Sequence, residues 1–419
     1  MPASGASSAC RQWDEPATRI HASVEGRLSY TTLLFVPSEK PFDLFERERR
    51  GVSLYVRRVF IMDDCKHLLP EWMRFVRGVV DSDDLPLNVS REILQQQATV
   101  EQLRKQISKR VIDHLLKLAQ SGEDADKAAW AKIDAAFGPV IREGIVTDHE
   151  NKDRIARLAR WRSTWTEGMM PAQGGGSGGA TAGGTGDNGV SRPGPEAQSP
   201  TRATSLEDYI RRCPESAPRE IVYVLAPNLA AARANPAIEG FVKAGREVLF
   251  LADPVDEWVV QHLNEFDGRK LVDAAKGAGD LLDAEAKKGL EAKAKELEPF
   301  LGFAKQTLPD VGDVRLSGRL ADSPACLVAD EHAISAQMEA MMRRMGQNVP
   351  EQKRTLELNP AHPLVQRLVA LHGDAGRRAD AVDGLHLLKD TATLAAGGTV
   401  ADGGATAKRL QALMAKALG

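Results

Sequence analysis

The sequence predicts a mixed α/β (α+β) protein: a layered α/β region in two units joined by a helical segment, then a mainly helical C-terminal domain. Three observations carry this. Residues 20 to 36 alternate in the two-residue strand period through Val24, Leu28 and Tyr30, and end in the apolar run Leu33-Leu34-Phe35-Val36. Leu103, Ile107, Val111, Leu115 and Leu118 recur at the 3.6-residue spacing of an amphipathic helix. From Glu220 to Asp256, strand-like and helix-like stretches alternate, the pattern of neighbouring parallel strands.

Taken in order, residues 1–12 are small and polar and read as a disordered start. The strand over Ile20 to Val36 is followed by a second strand signal from Ser53 to Met62 and a helix after Leu69. A long helix is expected over Val100 to Ala119, with further helices over Ala128 to Phe137 and Lys152 to Trp165. Lys105, Lys109 and Arg110 give the long helix a basic, solvated face. Residues 171–203 collapse to Gly, Ser, Ala, Thr and Pro, a flexible insert that cannot bury a core. Gly174, Gly176 and Gly179 spell G-x-G-x-x-G there, but with no strand before and no helix after, the spelling carries no dinucleotide site. Strands then follow over Glu220 to Leu225 and Glu247 to Leu251, with a helix ending at Ala244 between them and another starting near Asp256. Ala274 to Lys305 reads as a helical connector. The expected organisation is 13–170, 171–203, 204–273 and 274–419 after the disordered start.

Composition excludes several classes of function. A net charge of -3 over 419 residues gives no reason to expect nucleic acid or an anionic membrane as partner. No apolar run approaches the roughly 20 residues that span a bilayer, and Met1 to Arg11 lack the apolar core of a secretory signal, so a cytoplasmic chain is expected. Cys10, Cys65, Cys213 and Cys326 are too scattered for zinc or a redox pair. The nine dispersed histidines suggest no metal site, and no phosphate loop, His-Glu-x-x-His or Gly-x-Ser-x-Gly occurs.

Four groups of residues invite a functional reading. Pro86 stops any preceding helix and Asn88 or Ser90 can cap a new one, which puts Arg91 in a first helical turn where the macrodipole disfavours a cation by roughly 0.3 to 1 kcal/mol. Arg91 and Gln95 share one face of that helix, either as ordinary solvated side chains or as a guanidinium and an amide aimed at a ligand. Ile334, Met338, Met341, Met342 and Met345 form one stripe, which is either docked on its own domain or left open as an adaptable apolar surface. Trp258, beside Asp256 and Glu257, either closes a core or stands as a partly exposed anchor with an acidic rim. Leu385, Leu387, Leu388, Leu394, Leu410, Leu413, Met414 and Leu418 lie on two terminal helices separated by Gly397-Gly398, too apolar to stand without a partner surface.

Read together, the motifs Pro41-Phe42-Asp43-Leu44-Phe45-Glu46, Leu54-Tyr55-Val56-Arg57-Arg58-Val59-Phe60-Ile61-Met62-Asp63, Leu69-Pro70-Glu71-Trp72 and Val76-Arg77-Gly78-Val79-Val80-Asp81-Ser82, followed by Asp83 to Gln96, resemble the middle domain of the ninety-kilodalton heat-shock chaperones. The resemblance resumes at Ser205-Leu206-Glu207-Asp208-Tyr209 and reaches the C-terminus, sparing the first dozen residues and the insert. Trp13-Asp14-Glu15-Pro16 resembles the start of the family's middle domain. The end at Gly419, without the acidic peptide of eukaryotic cytosolic members, fits the bacterial, high-temperature protein G type.

The resemblance implies a molecular chaperone for unfolded or partly folded client proteins. It assigns Arg91 and Gln95 a catalytic place against the terminal phosphate of ATP, held with Mg by a separate N-terminal domain, so that no ATP is expected on this chain alone and a separate ATPase segment is an implied partner. Trp258, Ile334, Met338, Met341 and Met342 match client contacts. Leu385, Leu388, Leu394, Leu410 and Leu413 match the homodimer's four-helix bundle. The alternative is a passive client-holding or scaffold module with no ATP turnover.

Overall fold

The computed structural model describes residues 15–41, 44–45, 51–63, 65–86, 98–169, 203–214, 217–276, 284–330, 333–347 and 352–418. The expectations for residues 1–12, for Arg91 and Gln95, and for all but the last residue of the insert lie outside them.

The first sheet runs β1 (Pro16–Val24), β2 (Tyr30–Pro37), β5 (Arg77–Ser82), β3 (Val52–Val56), β4 (Val59–Met62) in spatial order, numbered along the chain. The stretch expected as one strand over Ile20 to Val36 is an antiparallel hairpin. Its alternation runs unbroken through the turn because Leu28, buried in the core, keeps the parity of Tyr30. The stretch from Ser53 to Met62 is likewise two strands, β3 and β4, joined at Arg57 and Arg58 with φ of 48° and 65°. A two-residue turn needs that left-handed backbone, normally supplied by Asn or Gly, so two arginines left no turn signal to read.

Three helices cover this sheet: α1 (Ala98–Gln120), α2 (Asp124–Thr147) and α3 (Lys152–Leu158). Helix α2 is far longer than the expected Ala128 to Phe137 and continues through Pro139. Its close seat on the sheet depends on Gly144, where an added Cβ would lie 2.7 Å from Cδ2 of the buried Trp72. The Trp72 indole N–H then donates to Asp148 at 3.1 Å, just past the end of α2. The helix expected over Lys152 to Trp165 stops at Leu158 and becomes β6 (Arg160–Ser163), because Trp161 and Ser163 are buried while Arg160 and Arg162 are only half-buried, a strand's alternation.

That strand crosses into a second sheet. Its order is β10 (Glu265–Phe266), β11 (Arg269–Asp273), β8 (Glu220–Leu225), β9 (Leu249–Leu251), β6, β7 (Thr204–Ser205). Strands β8 and β9 are parallel neighbours, as the strand and helix alternation predicted, and β11, for which no strand was expected, pairs parallel with β8 on its other side. β6 and β7 pair antiparallel, so the chain on the two sides of the glycine-rich insert is held together at one sheet edge. Both faces of β8 are buried: Ile221 and Tyr223 join the large core that also contains Trp72 and α1 to α3, while Val222 and Val224 pack with Phe250 and Phe241. The helices of this unit are α4 (Leu206–Arg212), α5 (Leu229–Arg233), α6 (Glu239–Lys243) and α7 (Asp256–His262).

The expected connector appears as α8 (Ala284–Glu296) and α9 (Glu298–Thr307). Beyond it a three-stranded sheet, β12 (Asp313–Leu316), β14 (Thr355–Leu358), β13 (Ala325–Val328), carries α10 (Ala336–Arg344), α11 (Pro363–Gly373), α12 (Arg378–Ala395) and α13 (Gly403–Leu418). Phe300, Phe303, Leu316, Leu356, Leu358 and Leu368 form its core.

Candidate functional site

Helix α7 has an N-terminal turn fastened by charge and a tryptophan left outside. Arg142, buried in α2, lies with Nε 3.0 Å from Asp256, pairs with Asp253, and donates to the Arg160 carbonyl at 2.7 Å. Asp256 also accepts from the Trp161 indole N–H at 3.0 Å and from the Asp253 backbone N–H at 3.0 Å. Glu257 accepts from the Ser335 hydroxyl at 2.5 Å. Burial pushes both carboxyls above the ordinary carboxylate range, against Arg142 at Asp256 and the Ser335 hydroxyl at Glu257. The acidic rim expected around Trp258 is therefore absent, because both acids turn inward to partners that offset their desolvation. Trp258 itself is 42% exposed, and its carbonyl bonds the His262 ring at 2.9 Å.

Ser335 leads from this turn into the methionine helix. As the N-cap of α10, its Oγ accepts from the Met338 backbone N–H at 2.9 Å. The helix is tied to its own domain by Gln352, which accepts from the Ile334 N–H at 3.0 Å, and by Arg354, which pairs with Glu339 at 2.9 Å. Among the expected contacts, Ile334, Met341 and Met342 are half-buried, and Met345 just past the helix is 56% exposed. Met338 departs from an open surface: at 6% exposure it is seated inside. It lies at the centre of the stripe, where contact with the domain beneath is closest, while Met341 and Met342 are its margins.

The terminal leucines divide in the same way. Leu385 and Leu388 on α12 are buried in the chain's own core with Phe300 and Leu368, which takes them out of any surface available to a second subunit. Leu394 at the end of α12, and Leu410, Leu413, Met414 and Leu418 on α13, are exposed. Lys416 to Asp380 at 2.6 Å and Thr406 to Asp390 at 2.5 Å lash α13 to α12.

Sequence reading missed the fastenings between the small α/β unit and the last domain. Glu239, the first residue of α6, accepts from the backbone N–H groups of Ala321, Asp322 and Ser323 at 2.8 to 3.1 Å. Arg319 donates to the Ala274 carbonyl at 2.9 Å and pairs with the buried Glu357 at 2.9 Å, and cations around Glu357 hold its carboxyl below the usual range. Partners 38 to 84 residues apart leave no local spacing by which such pairs could be recognised. Among the described residues no disulfide joins Cys65, Cys213 or Cys326, and no cluster of three metal-capable side chains occurs. No helix among the described residues is long and apolar enough to cross a membrane.

The sequence matches the Hsp90 protein family over residues 7–172 and 196–419. The unmatched gap falls within the glycine-rich insert. It is 43% identical over 407 residues to the chaperone protein HtpG of Aromatoleum aromaticum, covering 96% of this chain and 57% of that protein. It is also 43% identical over 404 residues to the chaperone protein HtpG of Burkholderia lata, covering 96% of this chain and 58% of that protein. The chain thus spans a little over half the length of these curated relatives.

Proposed function

The chain belongs to the Hsp90 family, and from that premise we propose that it is a molecular chaperone which holds unfolded or partly folded proteins on a surface shared by α7 and α10. The observation that carries this reading is Trp258, a large aromatic left outside on a helix whose next residue inward is bonded to the cap of the methionine helix. An exposed tryptophan offers contact area with few rotamers to freeze, and methionine adapts to varied side chains, a pairing suited to clients without a common sequence.

The test separates surface from core. A chain carrying Trp258→Ala, Met341→Ser, Met342→Ser and Met345→Ser should bind a heat-unfolded test protein about 10-fold more weakly, since truncating central aromatic contacts costs most of an interface's affinity. Its melting temperature should stay within a few degrees of the parent's. Met338→Ser should instead lose roughly 2 to 5 kcal/mol of stability, as large-to-small changes in a packed interior do. Undiminished holding by the four-site variant sinks the proposal.

ATP dependence belongs to the same proposal on the strength of the resemblance at Arg91 and Gln95. Arg91 would place its charge against the terminal phosphate of ATP held with Mg by an N-terminal domain. When this chain is joined to a relative's ATP-binding domain, Arg91→Ala should slow hydrolysis about 100-fold, the usual effect of removing one transition-state donor. Equal turnover by parent and variant would leave passive holding as the reading. A cytoplasmic location completes the proposal, and cell fractionation checks it.

A further inference from the structure

The client-holding surface is built from two bodies of the fold. Trp258 stands on the small α/β unit and the methionines on the last domain; Trp258 follows Glu257 in the chain, and Ser335 caps the helix that carries the methionines. Two further fastenings of α10 among the described residues, Gln352 to Ile334 and Arg354 to Glu339, stay within its own domain. They set the helix on that domain and say nothing to Trp258.

We propose that Glu257 and Ser335 are positioning residues which lock the tryptophan patch and the methionine patch into one surface, selecting apolar client segments that engage both patches at once. This rests on the client-holding reading above. Glu257 is 97% covered and its carboxylate reaches Ser335 rather than solvent, so it orients α10 without touching a client. Ser335 has one oxygen with two tasks: it donates across the boundary and accepts from the Met338 N–H. The bond therefore also sets the direction in which the first turn of α10 leaves the boundary. Two patches held in fixed register let a client bound at one meet the other at high effective concentration; Glu239 and Arg319 keep the two bodies joined, while the Glu257 to Ser335 bond sets the register of the patches, and a slackened register forfeits part of that advantage without removing a client contact.

The experiment measures the affinity of an unfolded, apolar model client for the full chain, with melting temperature alongside. Glu257→Ala removes the crossing bond and leaves the Ser335 cap in place. It should weaken client binding about 10-fold, a part of the roughly 100- to 10,000-fold by which joint engagement of two sites exceeds single engagement. Glu257→Gln and Ser335→Thr retain an acceptor and a hydroxyl, and both should bind like the parent. In a Trp258→Ala background, Glu257→Ala should change affinity by less than about 2-fold, because only one patch is then left to align. An equal loss in both backgrounds, or failure of Glu257→Gln to restore binding, would overturn the positioning role. Should Trp258→Ala alone leave affinity untouched, the client-holding reading fails instead, and the two failures are told apart by that single variant.

Discussion

Replacing Arg142 by leucine is expected to destabilise the protein by about 3 to 5 kcal/mol, a large share of the 5 to 15 kcal/mol that keeps a typical domain folded. The reason is what the substitution leaves behind. Asp256 is fully buried and would keep two neutral donors, the Trp161 indole and the Asp253 N–H, with no cation beside it. Leucine fills much of the volume of the arginine stem, so the loss reports uncompensated charge more than a cavity. The pH dependence gives an independent check. Burial already places the Asp256 carboxyl above its unfolded range, so its contribution is favourable below the unfolded value and is lost as the pH rises through the folded one. Without Arg142 that folded value climbs further, and the gap between variant and parent should narrow as the pH falls. Chemical denaturation across pH 5 to 8 measures it; a deficit below about 1 kcal/mol, or one that widens on acidification, contradicts this account. Because Arg142 joins α2 to the start of α7, the same variant should also loosen the helix that presents Trp258.

Ending the chain at Gly398, which removes α13, should convert a proposed homodimer to a monomer, visible as a halving of mass by light scattering. Leu410, Leu413, Met414 and Leu418 fall on one side of α13 at i, i+3, i+4 and i+8, and Leu394 is exposed at the end of the helix before it. Covering these half-open side chains in two copies would recover on the order of 10 kcal/mol. That offsets the roughly 4 to 15 kcal/mol that association costs, and without it the shortened chain has no such apolar gain to set against that cost. The cut must fall after α12, because Leu385 and Leu388 belong to the subunit's own core, and a chain ending near Asp374 would lose that core along with any interface. Leu410→Asp with Leu413→Asp should give the same monomer with the fold intact. A parent chain that already runs as one subunit would rule the dimer out.

What was legible in the sequence follows from the range of the interactions concerned. The amphipathic stripe of α1, the parallel strands β8 and β9, and the apolar face of α13 could be read because each is written in residues a few positions apart. The turn at Arg57-Arg58 could not, since its left-handed backbone is imposed by the pairing of β3 with β4 and by β5 alongside, against the preference of arginine. The end of α3 and the start of β6 were hidden because the strand's partner, β9, lies almost ninety residues away.

The candidate site divides on the same line. Sequence by itself singled out the residues proposed to touch a client or a second subunit: an aromatic, a methionine stripe and a run of leucines, each apolar where a solvated helix would be polar. Only the tertiary structure decided which of them do face outward. Met338 and Met341 are three residues apart on one helix, and Leu388 and Leu394 six apart on another, yet one of each pair is spent on the core and the other is wholly or partly open. The same holds for Asp256 and Glu257, acids whose exposed or buried state was settled by Arg142 and Ser335, residues 114 positions before the one and 78 after the other. Local periodicity assigns a side chain to a face, but whether that face is covered depends on the elements that fold against it from far along the chain.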